Sequence, residues 1–162
     1  MEIAKSLIET LKKISGCFKE ADIKFCLIGG LAVGIVAKPR ATEDIDLLIL
    51  VDEENKEPVA QLLEDNFEVI KMNDVMHFKN AAIWRIIIKE TLTENSGIVV
   101  LDLLFANNEI YKEAVMNSVL IKIDAVGIPI ARPDNLIKIK KLSGRPQDLI
   151  DIKTIRDENI DL

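Results

Sequence analysis

Ile3, Leu7, Leu11, Ile14 and Phe18 recur at steps of three and four, the apolar stripe of an amphipathic helix over residues 3–20. The pattern then changes period. Residues 23–28 read as a short strand that Gly29-Gly30 breaks, and 31–36 form a brief apolar helix closed by Pro39, because the residue before a proline is pushed out of the helical region. The run 45–51 is the most strand-like in the chain. A helix follows over 53–66, then strands at 67–70, 77–78 and 81–88, a polar loop at 91–97 and a buried strand at 98–105 that a single charge, Asp102, interrupts. Beyond it the pattern predicts a helix over 107–114, short strands at 119–123 and 128–130 separated by Gly127, a helix from Pro133 to about residue 142, a stop at Ser143-Gly144, and a last helix from Pro146 to about 156. Alternating helices and strands give an α/β or α+β domain with a mixed sheet flanked by helices.

Composition narrows this picture without redirecting it. The chain has 162 residues, 49% hydrophobic and 30% charged, which suits one globular domain with one core; no repeat or linker divides it. The longest uncharged run, 25–37, falls short of the ~18 residues of a membrane span and carries a glycine pair. No basic n-region leads into an apolar segment, so no export is implied. Cys17 and Cys26 lack C-x-x-C spacing and sit among apolar neighbours, which fits reduced, buried thiols in a cytoplasmic protein. One histidine, His77, excludes a zinc cluster, and the formal charge of -6 argues against coating a nucleic-acid backbone. His77 and Trp84 read as structural strand residues.

The chemistry concentrates on aspartates. Asp44 and Asp46 stand two apart at the mouth of the strand over 45–51, and the period of two points both carboxylates to one face. Two such carboxylates will hold a divalent cation, and they repel one another unless a cation or a basic partner compensates. Asp102 is a charge in a strand that should otherwise be buried, and an unpaired buried carboxylate is costly. If the two strands are neighbours, three aspartates converge into a cluster able to bridge two magnesium ions, the arrangement that serves in-line phosphoryl displacement. Upstream, Gly29-Gly30 lies where a strand turns into a helix, and backbone N–H groups there can approach a phosphate.

Two motifs then carry a resemblance. Leu27-Ile28-Gly29-Gly30-Leu31-Ala32 with Arg40-Ala41-Thr42-Glu43-Asp44-Ile45-Asp46 resembles the signature of the DNA polymerase beta superfamily of nucleotidyltransferases, in its AbiEii-toxin-like and minimal-nucleotidyltransferase subgroup. The stretch 136–152, with its lysines and the order R-P-x-D-L-x-D, is similar to the segment that closes many AbiEii-like domains. The resemblance spans about residues 20–157. It departs from the broader superfamily at the turn, where Gly-Ser is usual and this chain has the Gly29-Gly30 that the AbiEii-like branch commonly shows.

What the resemblance implies is a single nucleotidyltransferase-like domain over 1–162, whose late helices, 133–157, pack on or close the active-site cleft. Asp44 and Asp46 would bind the metal that carries a nucleoside triphosphate. Asp102 would share a second metal and help deprotonate the acceptor hydroxyl. Gly29 and Gly30 would hold the phosphates, Lys140 would contact the triphosphate, and Arg40 and Thr42 would position the nucleotide or the aspartate loop. The implied cofactor is Mg, as two ions, with Mn as a substitute. The acceptor could be RNA, a protein or a small molecule, and the chain could pair with itself or with a toxin–antitoxin partner. Arg145, Asp148 and Asp151 read independently as a helix-start network.

Two other readings fail, one on order and one on spacing. A haloacid-dehalogenase-like phosphatase carries its D-x-D after a hydrophobic strand, whereas here the apolar run 47–51 follows the pair. A dinucleotide site needs G-x-G-x-x-G, and the chain has G-G-L-A-V-G. A nucleotide-binding or partner-binding protein that has kept the fold without catalysis remains as the alternative.

Overall fold

The computed structural model describes residues 2–39, 42–89 and 97–159, with side chains from Lys5 onward. The amphipathic stripe forms helix α1 (Glu2–Glu20), which buries Leu7, Leu11, Ile14 and Phe18. Phe18 meets Phe25 edge-on at 5.4 Å between ring centroids, so the helix is pinned to the first strand just beyond its own turn. Ile3 belongs to the predicted stripe, but its side chain lies outside the described residues. No described helix is long and apolar enough to cross a membrane.

Among the described residues eight strands form one mixed sheet. They are β1 (Phe25–Ile28), β2 (Asp44–Ile49), β3 (Val69–Met72), β4 (Met76–His77), β5 (Ala82–Lys89), β6 (Ile98–Phe105), β7 (Val119–Ile123) and β8 (Val126–Ile130). The order is β3-β5-β6-β2-β1-β8-β7, with β4 paired to β5. β2 runs parallel to β6 and β1 parallel to β8; the other pairings are antiparallel. The two central strands are the ones with near-continuous apolar runs. In β6 every residue from Leu101 to Phe105 is buried, as expected of a strand covered on both faces. Trp84 is core, stacked on Phe105 at 6.1 Å.

Helices connect and cover the strands: α2 (Gly29–Val36), α3 (Glu57–Asn66), α4 (Glu109–Met116), α5 (Pro133–Ser143) and α6 (Pro146–Glu158). α1 packs on β2 and β8, α4 packs on β1, β2 and α5, and α5 and α6 pack together and against α2. Asn159 ties the end of α6 to α2 by donating from Nδ2 to the Val36 carbonyl at 3.4 Å. Cys26 is buried, its thiol pushed up to about 12 by desolvation, and Cys17 is partly covered; both are free.

Several element bounds shift by one or two residues from the sequence pattern, and three differences have a local reason. The helix expected over 53–66 is a 3-10 turn, Glu53–Asn55, followed by α3, because Pro58 lacks an N–H and fits only the first turn of a helix. The strand expected at 67–70 begins at Val69, since the Phe67 N–H still caps α3 by donating to the Leu63 carbonyl at 2.8 Å. Gly127 does not separate two strands but lies within β8, opposite Lys122. The turn falls instead at Asp124-Ala125, both with positive φ (49° and 70°), as a two-residue hairpin of this twist demands. The loop over 91–97 falls, except for Gly97, outside the described residues.

Candidate active site

The parallel register of β2 and β6 sets Asp46 directly beside Asp102, on strands spaced ~4.8 Å apart. Alternation does the rest. Ile45, Leu47 and Ile49 of β2 and Leu101, Leu103 and Phe105 of β6 take one face and are fully buried or nearly so, which leaves Asp44, Asp46 and Asp102 together on the other. The expected neighbourhood of three aspartates therefore follows from one strand pairing.

Their side chains do not close into a cage. Among the described residues no three His, Cys, Asp or Glu side chains stand together as a ready metal-binding group. One of the three carboxylates is instead held by Arg85, which the sequence pattern did not single out. It lies opposite Asp102 on the antiparallel neighbour β5 and donates from Nε to Oδ1 and from an Nη to Oδ2, both at 2.9 Å. The same guanidinium comes within 3.9 Å of an Asp44 oxygen. This bidentate fork is the compensation that lets Asp102 stay only 6% exposed inside a strand. The bond to Asp102 raises the guanidinium's pKa further above its ordinary value.

Among the described residues Asp46 has no such partner. Burial, then the negative charges of Asp102 and Asp44, push its carboxyl up to about 7, although Lys140 and Arg145 pull the other way. Asp44 is raised by burial and by Asp102, with Arg85 opposing. Thr42 supports this strand start by donating from its hydroxyl to the Asp44 carbonyl at 3.4 Å. Arg40 lies outside the described residues.

Gly29 has two reasons to be glycine. Its φ is +75°, a region that L side chains avoid, and an added Cβ would stand 2.8 Å from Cγ of Asp46 and closer still to Oδ2. The missing side chain makes room for the aspartate, and Gly30 begins the buried part of α2 beside it. Gly29→Ala is expected to cost about 1–2 kcal/mol in backbone strain and to displace the Asp46 carboxylate. Urea denaturation checks the first effect. A changed pH dependence of stability between pH 4 and pH 8, the range over which the Asp46 carboxyl acts, checks the second.

Lys140 is set deeper than a solvent-facing phosphate contact. It is 6% exposed, with Nζ 3.0 Å from Asp151 and 3.5 Å from Asp148, both carboxylates also buried. The segment that holds them is built by its turn residues. Gly144 ends α5 in the left-handed conformation, and Pro146 opens α6. Arg145 then caps α6, donating from its backbone N–H and its Nε to Asp148 at 3.1 and 2.9 Å. Burial opposes ionisation of Asp148, but Arg145, Ser143 and Lys140 outweigh it and hold the carboxyl down to about 2. This cluster lies near enough to Asp46 for Lys140 and Arg145 to act on its charge.

No protein-family model matches the chain, and no curated protein matches it in sequence. Its structure has clear relatives. It is similar to an antigenic nucleotidyltransferase-like protein from Paracoccidioides brasiliensis, with TM-score 0.66 at 19% identity, covering 93% of this chain and 75% of the other. A protein from Thermotoga maritima described as a nucleotidyltransferase aligns with TM-score 0.60 at 14% identity, over 94% and 93% of the two chains. ANT(2")-Ia in complex with adenylyl-2"-tobramycin aligns with TM-score 0.54 at 13% identity, over 93% and 88%. The fold is therefore nucleotidyltransferase-like, a mixed α/β sheet with flanking helices.

Proposed function

We propose that the chain is a metal-dependent nucleotidyltransferase that moves a nucleoside monophosphate from a nucleoside triphosphate to an acceptor hydroxyl. The observation that carries this reading is the carboxylate row at the start of β2 and the middle of β6. Asp46 faces Asp102 in register, beside a glycine that leaves it room, and burial, then the charges of Asp102 and Asp44, hold its pKa high. Such a donor set fits Mg, with Mn as a substitute: hard carboxylate oxygens whose mutual repulsion a dication relieves. Bound there, the ion supplies charge stabilisation for the triphosphate.

In this reading Asp44 and Asp46 hold the ion, Gly29 and Gly30 let backbone N–H groups approach the phosphates, and Asp102 faces the acceptor hydroxyl. The acceptor oxygen forms a bond to the α-phosphorus, the bond from that phosphorus to the bridging oxygen breaks, and pyrophosphate leaves with the electron pair while the hydroxyl proton passes to a base or water. Lys140 supports the site from its buried cluster, where its charge favours the ionised form of Asp46. The acceptor class includes RNA, proteins and small molecules; an adenylylated aminoglycoside stands in the ANT(2")-Ia structure. The late-chain motif supports a toxin-like role in a toxin–antitoxin pair.

The test is transfer of label. Nucleotide labelled at the α-phosphate should mark the acceptor in the presence of Mg, and γ-labelled nucleotide should not. The opposite pattern would indicate a kinase and overturn the reading. One observation favours the second reading, a binding protein without catalysis: Arg85 holds both oxygens of Asp102. Binding without transfer across RNA, protein and aminoglycoside acceptors would select it.

A further inference from the structure

The fork between Arg85 and Asp102 bears on how many ions the carboxylate row can take. We infer that Arg85 is the resident cation of Asp102, so that in the absence of nucleotide the site binds one divalent ion, at Asp44 and Asp46, and not two. The inference rests on the proposed reading that this row is a divalent-ion site.

Three observations carry it. Both oxygens of Asp102 are engaged at 2.9 Å by one guanidinium, a group that stays protonated throughout the pH range of folded proteins. The guanidinium lies between Asp102 and Asp44, 3.9 Å from the latter, so it stands where a second ion shared by those two carboxylates would have to stand. The Asp102 side chain is only 8% exposed, so water could replace a displaced Arg85 only in part. The charges agree. Three carboxylates with one guanidinium leave two negative charges, which one dication cancels. A second dication would sit in contact with the guanidinium and repel it.

The pairing is built into the strands. On β5, Ala82, Trp84, Ile86 and Ile88 are buried, and Ile83, Arg85, Ile87 and Lys89 take the opposite face, the one that carries Asp102 across the ladder. Arg85 needs no loop movement to reach its partner. It acts through Asp102 and so is a positioning residue, which fixes the ion at Asp44 and Asp46.

Counting bound Mn by electron paramagnetic resonance, without nucleotide, tests this directly. The wild-type chain should take up one ion, and Asp44→Ala/Asp46→Ala should take up none. Arg85→Gln should take up two, and Arg85→Gln/Asp102→Asn should return to one. Arg85→Lys, which keeps the charge, should also bind one. Two ions on the wild type, both lost with the Asp44/Asp46 double variant, would overturn the inference and leave the proposed function standing. One ion on folded Arg85→Gln would also overturn it. No ion on the wild type would remove the divalent site itself, and the inference with it. If Arg85→Gln does not fold, the wild-type count and Arg85→Lys decide.

Discussion

Replacing Lys140 by methionine is expected to destabilise the fold by about 3–5 kcal/mol, the usual cost of stripping the cation from a buried ion cluster. For a chain of this length that lowers the melting temperature by roughly 10 °C. The effect should fall unequally on the two carboxylates. Asp148 keeps the Arg145 guanidinium and backbone N–H, while Asp151 keeps the Gln147 amide at 3.0 Å but loses the ammonium at 3.0 Å. Lys140→Met/Asp151→Leu, which replaces the pair by apolar side chains of similar bulk, should regain most of the stability at neutral pH. Thermal melts of the two variants at pH 7 decide the matter. A single variant as stable as the wild type would show that Lys140 is free to serve a ligand instead.

Asp46→Asn is expected to act in the opposite direction. The folded carboxyl sits at about 7 and the unfolded one near ~3.9. Between those values the native state binds the extra proton, so this group's contribution to stability falls as pH rises from about 4 to about 7 and stays lost above. Removing the charge should stabilise the metal-free protein by about 2–4 kcal/mol at pH 8, after allowance for residual hydration, and by almost nothing at pH 4. Mg should raise the melting temperature of the wild type at pH 8 and leave the variant unmoved. A variant less stable than the wild type at pH 8 would mean that Asp46 has a favourable partner.

The aspartates were legible because each broke a pattern. A D-x-D at a strand mouth must share a face, and one charge in an apolar run must find a partner; that β2 and β6 are neighbours is a condition the sequence leaves open and the sheet register supplies. The partner itself was not legible. Arg85 lies on the less buried face of an alternating strand, where a charge normally meets solvent, and its register against Asp102 depends on a long polar connection whose length fixes nothing by itself. Lys140 stands out in the sequence for its charge, but not for its burial. A lysine in the last turns of a helix usually faces water, but here the turn at Gly144 folds α6 back so that two buried carboxylates meet it. Gly29 was read as a place for phosphate, and the clearance it gives Asp46 emerged only with the strands in register. The two strands of the β7–β8 hairpin are legible, but its turn lies at Asp124-Ala125 and not at Gly127, because neither turn residue is glycine, the usual signal for positive φ there.

The most direct measurement is calorimetric titration of the purified protein with ATP, GTP, CTP and UTP, each with and without Mg, alongside the Asp44→Ala/Asp46→Ala variant. Binding of at least one nucleotide that requires Mg and disappears in the double variant is the predicted result. Nucleotide binding that is indifferent to Mg and to the loss of both aspartates, or no binding by any of the four, would contradict it.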